Sequence, residues 1–142
     1  MNVNTNVEAL NKNAGKFPAS FAIVFALIAA LICTAVDFVF TKITIPFGGY
    51  IWWALTALAF AGAGFGGGLM TKATKGAAQT AVIIGAVAYG VIGFVLWKFV
   101  VGAEMGDVLY EVGISFAIAI AAGWGAAHRG ASQRESLAPK PG

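Results

Sequence analysis

One apolar stretch decides the class of this protein: residues 43–71, ITIPFGGYIWWALTALAFAGAGFGGGLMT, contain no Asp, Glu, Lys or Arg. A helix needs roughly 20 apolar residues to cross the hydrocarbon core of a bilayer, and this run of 29 residues is longer than that. The pair Gly48-Gly49 favours a turn near its start. We therefore expect a membrane-spanning helix from about Tyr50 to about Met70.

Three further charge-free runs surround this stretch. They cover residues 17–36, 76–97 and 112–128 and measure 20, 22 and 17 residues. The whole chain of 142 residues is only 11% charged, whereas soluble domains carry about 25% charged residues. The pattern predicts an all-α, polytopic membrane protein with four transmembrane helices in two hairpins. The expected helices are Pro18–Phe40, Tyr50–Met70, Ala77–Val100 and Asp107–Ala127.

The two ends of the chain differ in composition from its middle. We expect residues 1–16 to form a polar cytoplasmic N-terminal tail, because they are Asn-rich and lack apolar periodicity. Residues 17–128 are the four-helix transmembrane domain, and residues 129–142 are expected to be a flexible cytoplasmic C-terminal tail. The run 17–36 exceeds the 7–15 apolar residues of a cleaved signal peptide, which indicates an uncleaved membrane helix.

Orientation follows from the cations beside the helix ends, because short loops rich in Lys and Arg stay in the cytoplasm. One side of the predicted topology collects seven cations and the other side two. The larger group is Lys12, Lys16, Lys72, Lys75, Arg129, Arg134 and Lys140, and the smaller is Lys42 and Lys98. We therefore expect a multi-pass protein of the inner (plasma) membrane with both termini cytoplasmic. The cations flank the apolar runs and form no basic patch. We therefore interpret them as orientation signals in the membrane and do not expect nucleic acid as a partner.

Aromatic residues gather at the predicted outer ends of the helices. They are Tyr50, Trp52, Trp53, Trp97 and Tyr110. Because amphipathic rings favour the headgroup region, the simplest interpretation is that they anchor the helices at the outer interface.

The two halves of the chain resemble one another in short motifs. The segment 38–42 ends the first helix and 94–98 ends the third, and each finishes in Phe-Val-x-x-Lys. Gly-rich segments end the second helix at 63–68 and the fourth at 122–127. A parallel internal repeat would explain these matches, as would small-residue composition alone. Such a repeat predicts a pseudo-twofold axis along the membrane normal.

Small residues recur at helical spacing and are the strongest physical signal in the chain. Such stripes let helix backbones approach closely, which drives helix association in lipid. The predicted helix-packing residues are Gly62, Gly66, Gly85, Gly90, Gly113, Ala117, Ala121 and Gly125. We expect a tight bundle, and a further protein partner if one of these stripes stays uncovered.

Ionisable and polar residues within the helices are few. Asp37, Tyr89, Asp107 and Glu111 are the candidates for an ion or proton path. The simpler interpretation is that the carboxylates are solvated at the membrane boundary and that Tyr89 forms an interhelical hydrogen bond. No nucleophile is paired with a base and no His and Cys cluster appears, so we expect no enzyme, no metal and no cofactor.

The overall plan resembles families of small, uncharacterised four-helix integral membrane proteins of bacteria. The shared features are a glycine cluster at 62–68, a basic loop at 71–76 and a third helix that carries Gly and Tyr89. The resemblance covers roughly residues 17–128 and implies no activity. We expect a structural or accessory subunit that packs against other membrane helices, as a homo-oligomer or with other subunits. The alternatives are a small oligomeric transporter or channel, and a holin-like pore-former.

Overall fold

Four α-helices make up the described part of the chain. The structure, a computed structural model, describes residues 15–42, 48–102 and 104–137. The helices are α1 (Phe21–Lys42), α2 (Gly48–Met70), α3 (Lys75–Val95), which continues as a π-helical segment (Leu96–Val101), and α4 (Met105–Leu137). The all-α prediction is confirmed. The predictions for residues 1–14 and 138–142 lie outside the described residues.

Three of these helices are long and apolar enough to cross a membrane. Their apolar segments are Ile51–Met70, Lys75–Val100 and Met105–Ser136. The apolar segment found within α1, Phe21–Val36, is shorter. Because roughly 20 residues span the bilayer core, the predicted capacity to span is confirmed for three helices. The complete four-span topology stays a prediction.

The start of α3 shows how local chemistry sets a helix boundary. The Thr74 side chain accepts a hydrogen bond from the Ala77 backbone N–H, with 3.2 Å between oxygen and nitrogen. A Thr at this N-cap position satisfies one of the N–H groups that lack a partner in the first turn. The helix therefore begins at Lys75, two residues before the expected start at Ala77.

Helix α4 extends well past its expected end at Ala127 and stays helical to Leu137. Gly130 and Ala131 are buried, and a Cβ placed on Gly130 would collide with the Phe65 carbonyl of α2. Tertiary packing of this kind holds a helix that propensity alone would leave marginal. The flexible tail expected from residue 129 onward is thus helical throughout its described part.

The four helices form a bundle in which α1 and α4 occupy opposite corners. Each of these two helices packs against both α2 and α3, and the most extensive contact joins α2 to α4. The helices that correspond in the predicted repeat, α1 with α3 and α2 with α4, are therefore neighbours. A central twofold axis would place corresponding helices at opposite corners, so the bundle does not have the predicted twofold arrangement.

On α1, small side chains face the bundle and large ones face outward. The buried face of α1 consists of Ala22, Ala26, Ala29, Ala30 and Cys33. Its exposed large side chains include Val24, Leu27, Ile28, Leu31 and Ile32. A helix of a soluble bundle shows the opposite distribution, with its large apolar residues inside. Outward faces of this kind suit contact with lipid.

Backbone hydrogen bonds close one end of the bundle. Phe17, just before α1, forms a parallel bridge with Thr71, between α2 and α3. The Phe17 N–H donates to the Met70 carbonyl and the Lys72 N–H donates to the Phe17 carbonyl, each at 2.9 Å. The Gly15 N–H donates to the Leu69 carbonyl at 2.9 Å. The segment leading into α1 is therefore fixed to the α2–α3 connection.

Candidate functional site

The closest helix contact lies between α2 and α4 and depends on glycine. A Cβ placed on Gly64 would collide with the Gly123 carbonyl oxygen. One turn further along, a Cβ on Gly68 would lie 2.6 Å from both the Ala127 oxygen and the Ala131 nitrogen. These two backbones can approach so closely only because glycine has no side chain. The α2–α4 contact is therefore both the closest and the most extensive in the bundle.

The contact between α1 and α3 uses the same principle. A Cβ on Gly85 would lie 2.6 Å from the Ala26 Cβ and 2.8 Å from the Ala26 carbonyl oxygen. Ala22 is likewise 3.3 Å from a Cβ placed on Gly67 of α2. The small residues of α1 thus pack against both α3 and α2. This stripe was missed in the sequence, although its spacing of three and four residues was the signal that could have identified it.

The predicted packing residues of α2 and α3 fall into three groups. Gly85 is in tight contact with α1, as described above. Gly66 and Gly90 face aromatic rings, since a Cβ would lie 3.8 Å from Phe25 and 3.3 Å from Phe116 respectively. Gly62 has nothing within 4 Å of its Cβ position. Gly64 and Gly68, beside the predicted positions, make the closer contacts.

On α4, the predicted stripe lies on the outside of the bundle. Gly113, Ala117, Ala121 and Gly125 are all exposed, and we call these four residues the α4 outer stripe. Nothing lies within 4 Å of a Cβ placed on Gly113 or Gly125. The inward face of α4 consists of different small residues, which include Ser115, Ala119, Gly123 and Ala127.

The α4 outer stripe adjoins an apolar groove between α3 and α4. The groove has a volume of about 430 Å³, and Gly113 forms part of its wall. Val91 and Val95 of α3 and Leu109 of α4 are exposed lining residues. Small residues therefore lie beside large ones along this side of the molecule, so its surface is grooved and not flat.

Hydrogen-bonded and stacked aromatic rings fill the other end of the bundle. The Trp52 indole N–H donates to the Tyr89 hydroxyl at 3.0 Å, and both residues are buried. The Trp52 and Trp97 rings stack with 5.8 Å between their centroids. Trp52 therefore links α2 to α3 inside the bundle, and the interpretation as an interfacial anchor is wrong for this residue. Tyr89 forms the interhelical hydrogen bond that the simpler interpretation expected.

The residues proposed for an ion path are only partly brought together. The side chain of Asp37 lies outside the described residues, and Asp107 is exposed. Glu111 is half-buried, and its Oε2 atom is buried with no hydrogen-bond partner. The Ser115 hydroxyl, one turn deeper on α4, is also buried with no hydrogen-bond partner and lines a small cavity together with Tyr89. Ser115 was not among the sequence-predicted residues.

Charge separates the two ends of the described structure. The basic end, where Thr71 and the last turns of α4 meet, carries Lys16, Lys72, Lys75, Arg129 and Arg134, with Glu135 as its acid. The acidic end, where α3 leads to α4, carries Glu104, Asp107, Glu111 and Lys98, and α1 also ends there, at Lys42. Within the described residues, no group of three or more His, Cys, Asp or Glu side chains could hold a metal ion.

Comparisons with protein-family models, with curated proteins and with solved structures give no match for this chain.

Proposed function

We propose that this chain is a small integral membrane protein that serves as a structural or accessory subunit and binds another membrane helix through the α4 outer stripe. The observation that carries the proposal is that Gly113, Ala117, Ala121 and Gly125 are all exposed along one side of α4, with nothing within 4 Å of a Cβ placed on Gly113 or Gly125. The small residues of α1 and the glycines Gly64, Gly68 and Gly85 are covered by the chain's own helices. The α4 outer stripe has no partner within the described structure.

The geometry of the stripe suits a transmembrane helix as the partner. From Gly113 to Gly125 the stripe covers about 18 Å at 1.5 Å per residue, which is more than half of the bilayer core. Lipid supplies no hydrophobic drive for helix association, so close backbone approach at small residues provides the attraction. The partner is either a second copy of this chain or a helix of another subunit. We place the protein in the inner membrane of a bacterium or archaeon, with both termini cytoplasmic.

Substitution within the stripe tests the proposal. In the double variant Ala117→Leu/Ala121→Leu, two bulky side chains would hold the partner helix away, so we expect the complex to dissociate. Native mass spectrometry in a mild detergent should show an oligomer or a co-purifying subunit for the wild type and a lone chain for the variant.

Ala35→Leu and Ala54→Leu are matched controls, because both alanines are exposed on other helices. The control variants should keep the complex. A wild-type protein that is strictly monomeric with no co-purifying subunit would contradict the proposal. So would a double variant that assembles as the wild type does.

A second candidate function is ion or proton movement in an oligomer, and the unpartnered Glu111 and Ser115 favour it. These two residues lie four apart and so share one face of α4. Buried ionisable groups in membrane helices commonly mark such pathways. Proteoliposomes should then show a flux that Glu111→Gln abolishes and that Asp107→Asn, at an exposed site, leaves unchanged. Equal flux in all three proteins would exclude this role for Glu111.

A further inference from the structure

Three separate segments converge at the basic end. The bridge between Phe17 and Thr71 brings the segment before α1 against the α2–α3 connection. Arg134 of α4 donates a hydrogen bond from its guanidinium to the Thr71 carbonyl. The Arg134 Cδ atom also lies 3.4 Å from a Cβ placed on Gly15. The extended α4 thereby reaches the point where the other two segments are paired.

This convergence concentrates positive charge. In paired extended segments, the residues next to a bridged pair point to the opposite face from it. Lys16 and Lys72 are those residues, and both are exposed, whereas Thr71 is buried. Both lysines are adjacent in sequence to the bridged residues, so the bridge holds their backbones close together. Arg134 stands beside them and keeps further N–H donors after its bond to Thr71.

Lys72 lies at a defined depth. The apolar segment of α2 ends at Met70 and that of α3 begins at Lys75, so Lys72 stands where the hydrocarbon core would end. At this depth the phosphates of lipid headgroups surround a membrane protein. The described basic end has five cations and one acid, a sum of +4, so an anion is the complementary ligand.

We propose that Lys16, Lys72 and Arg134 form a binding site for the phosphate of an anionic phospholipid headgroup. The inference rests on the proposed location in a membrane and does not depend on the α4 outer stripe. A lipid phosphate fits better than a free one, because its acyl chains would lie on the exposed apolar faces directly beneath the site. The guanidinium of Arg134 can bind two phosphate oxygens, and the lysines contribute point charges.

The test measures lipid affinity of the full-length protein by native mass spectrometry. The probes are an anionic lipid, phosphatidylglycerol, and a zwitterionic lipid, phosphatidylcholine. Lys16→Gln and Lys72→Gln should each weaken phosphatidylglycerol binding about fivefold, since one Lys or Arg near an anionic surface contributes about that factor. Their combination should weaken it about 25-fold if the two effects add.

Lys98→Gln is the matched control, because it removes one cation at the acidic end. It should leave phosphatidylglycerol affinity unchanged. Phosphatidylcholine, whose choline cation offsets its phosphate charge, should lose less affinity than phosphatidylglycerol in each lysine variant. Equal affinity for the two lipids, or an equal loss in the Lys98→Gln protein, would overturn the proposal. Displacement of the lipid by millimolar inorganic phosphate would also overturn it, since the site would then be one for free phosphate. A monomeric wild type with selective lipid binding would contradict only the subunit role.

Discussion

At the residue scale, glycine determines how closely the helices of this protein approach. Gly64 and Gly62 lie two positions apart on α2, yet a Cβ at Gly64 meets the α4 backbone and a Cβ at Gly62 meets nothing within 4 Å. The two positions have the same amino acid and nearly the same sequence context. They differ in the face of α2 on which they lie: Gly64 faces α4 and is required for close packing, whereas Gly62 faces open space and can be replaced.

Alanine substitution should therefore have opposite effects at these two positions. Gly64→Ala forces α2 away from α4, and overpacking of this kind reduces the free energy of unfolding by about 1–3 kcal/mol. Gly62→Ala should be neutral or stabilising by up to about 1 kcal/mol, because Ala has the higher helix propensity. Thermal unfolding in the same detergent measures both. A Gly64→Ala protein as stable as the Gly62→Ala protein would contradict the assigned contact.

At the scale of elements, α4 shows what the sequence could and could not predict. Its existence and apolar character follow from the charge-free run 112–128. The choice of its buried face does not, because small residues occupy both faces: Gly113 and Ala117 on one, Ala119 and Gly123 on the other. Only the positions of α2 and α3 make the second face the buried one. Likewise, the helical segment after Ala127 depends on contacts with α2 that no local pattern reveals.

The extension of α4 should stabilise the basic end through Arg134. In the Arg134→Gln protein the charged donor to the Thr71 carbonyl is lost, and hydrogen bonds to charged groups contribute about 1.5–3 kcal/mol. We expect the N–H groups of Gly15, Phe17 and Lys72 to exchange with deuterium at least tenfold faster.

The control for this measurement is Gln133→Ala, which changes an exposed neighbour on the same turn. Its exchange rates at the paired segment should match those of the wild type. Unchanged exchange in the Arg134→Gln protein would show that the pairing is independent of α4.

At the scale of the whole molecule, many core positions carry alanine while many large apolar side chains are exposed, which differs from a soluble bundle. Ala26, Ala30 and Ala86 are almost fully buried, whereas Leu31, Leu58 and Val91 are more than half exposed. The hydrophobic composition alone predicted a membrane protein, and the three long apolar helices agree with it. What composition could not give is the order of helices round the bundle, which depends on long-range contacts such as Gly85 with Ala26.

The α4 outer stripe is a small-residue surface that the described helices leave uncovered, and its role is most directly tested in the membrane itself. A photo-cross-linking amino acid in place of Ala121 would report what lies against the stripe before any detergent is added. We predict a discrete protein adduct from position 121 and none from the exposed control position 35 on α1. An absence of protein adducts at position 121, with only lipid captured as at position 35, would contradict the account.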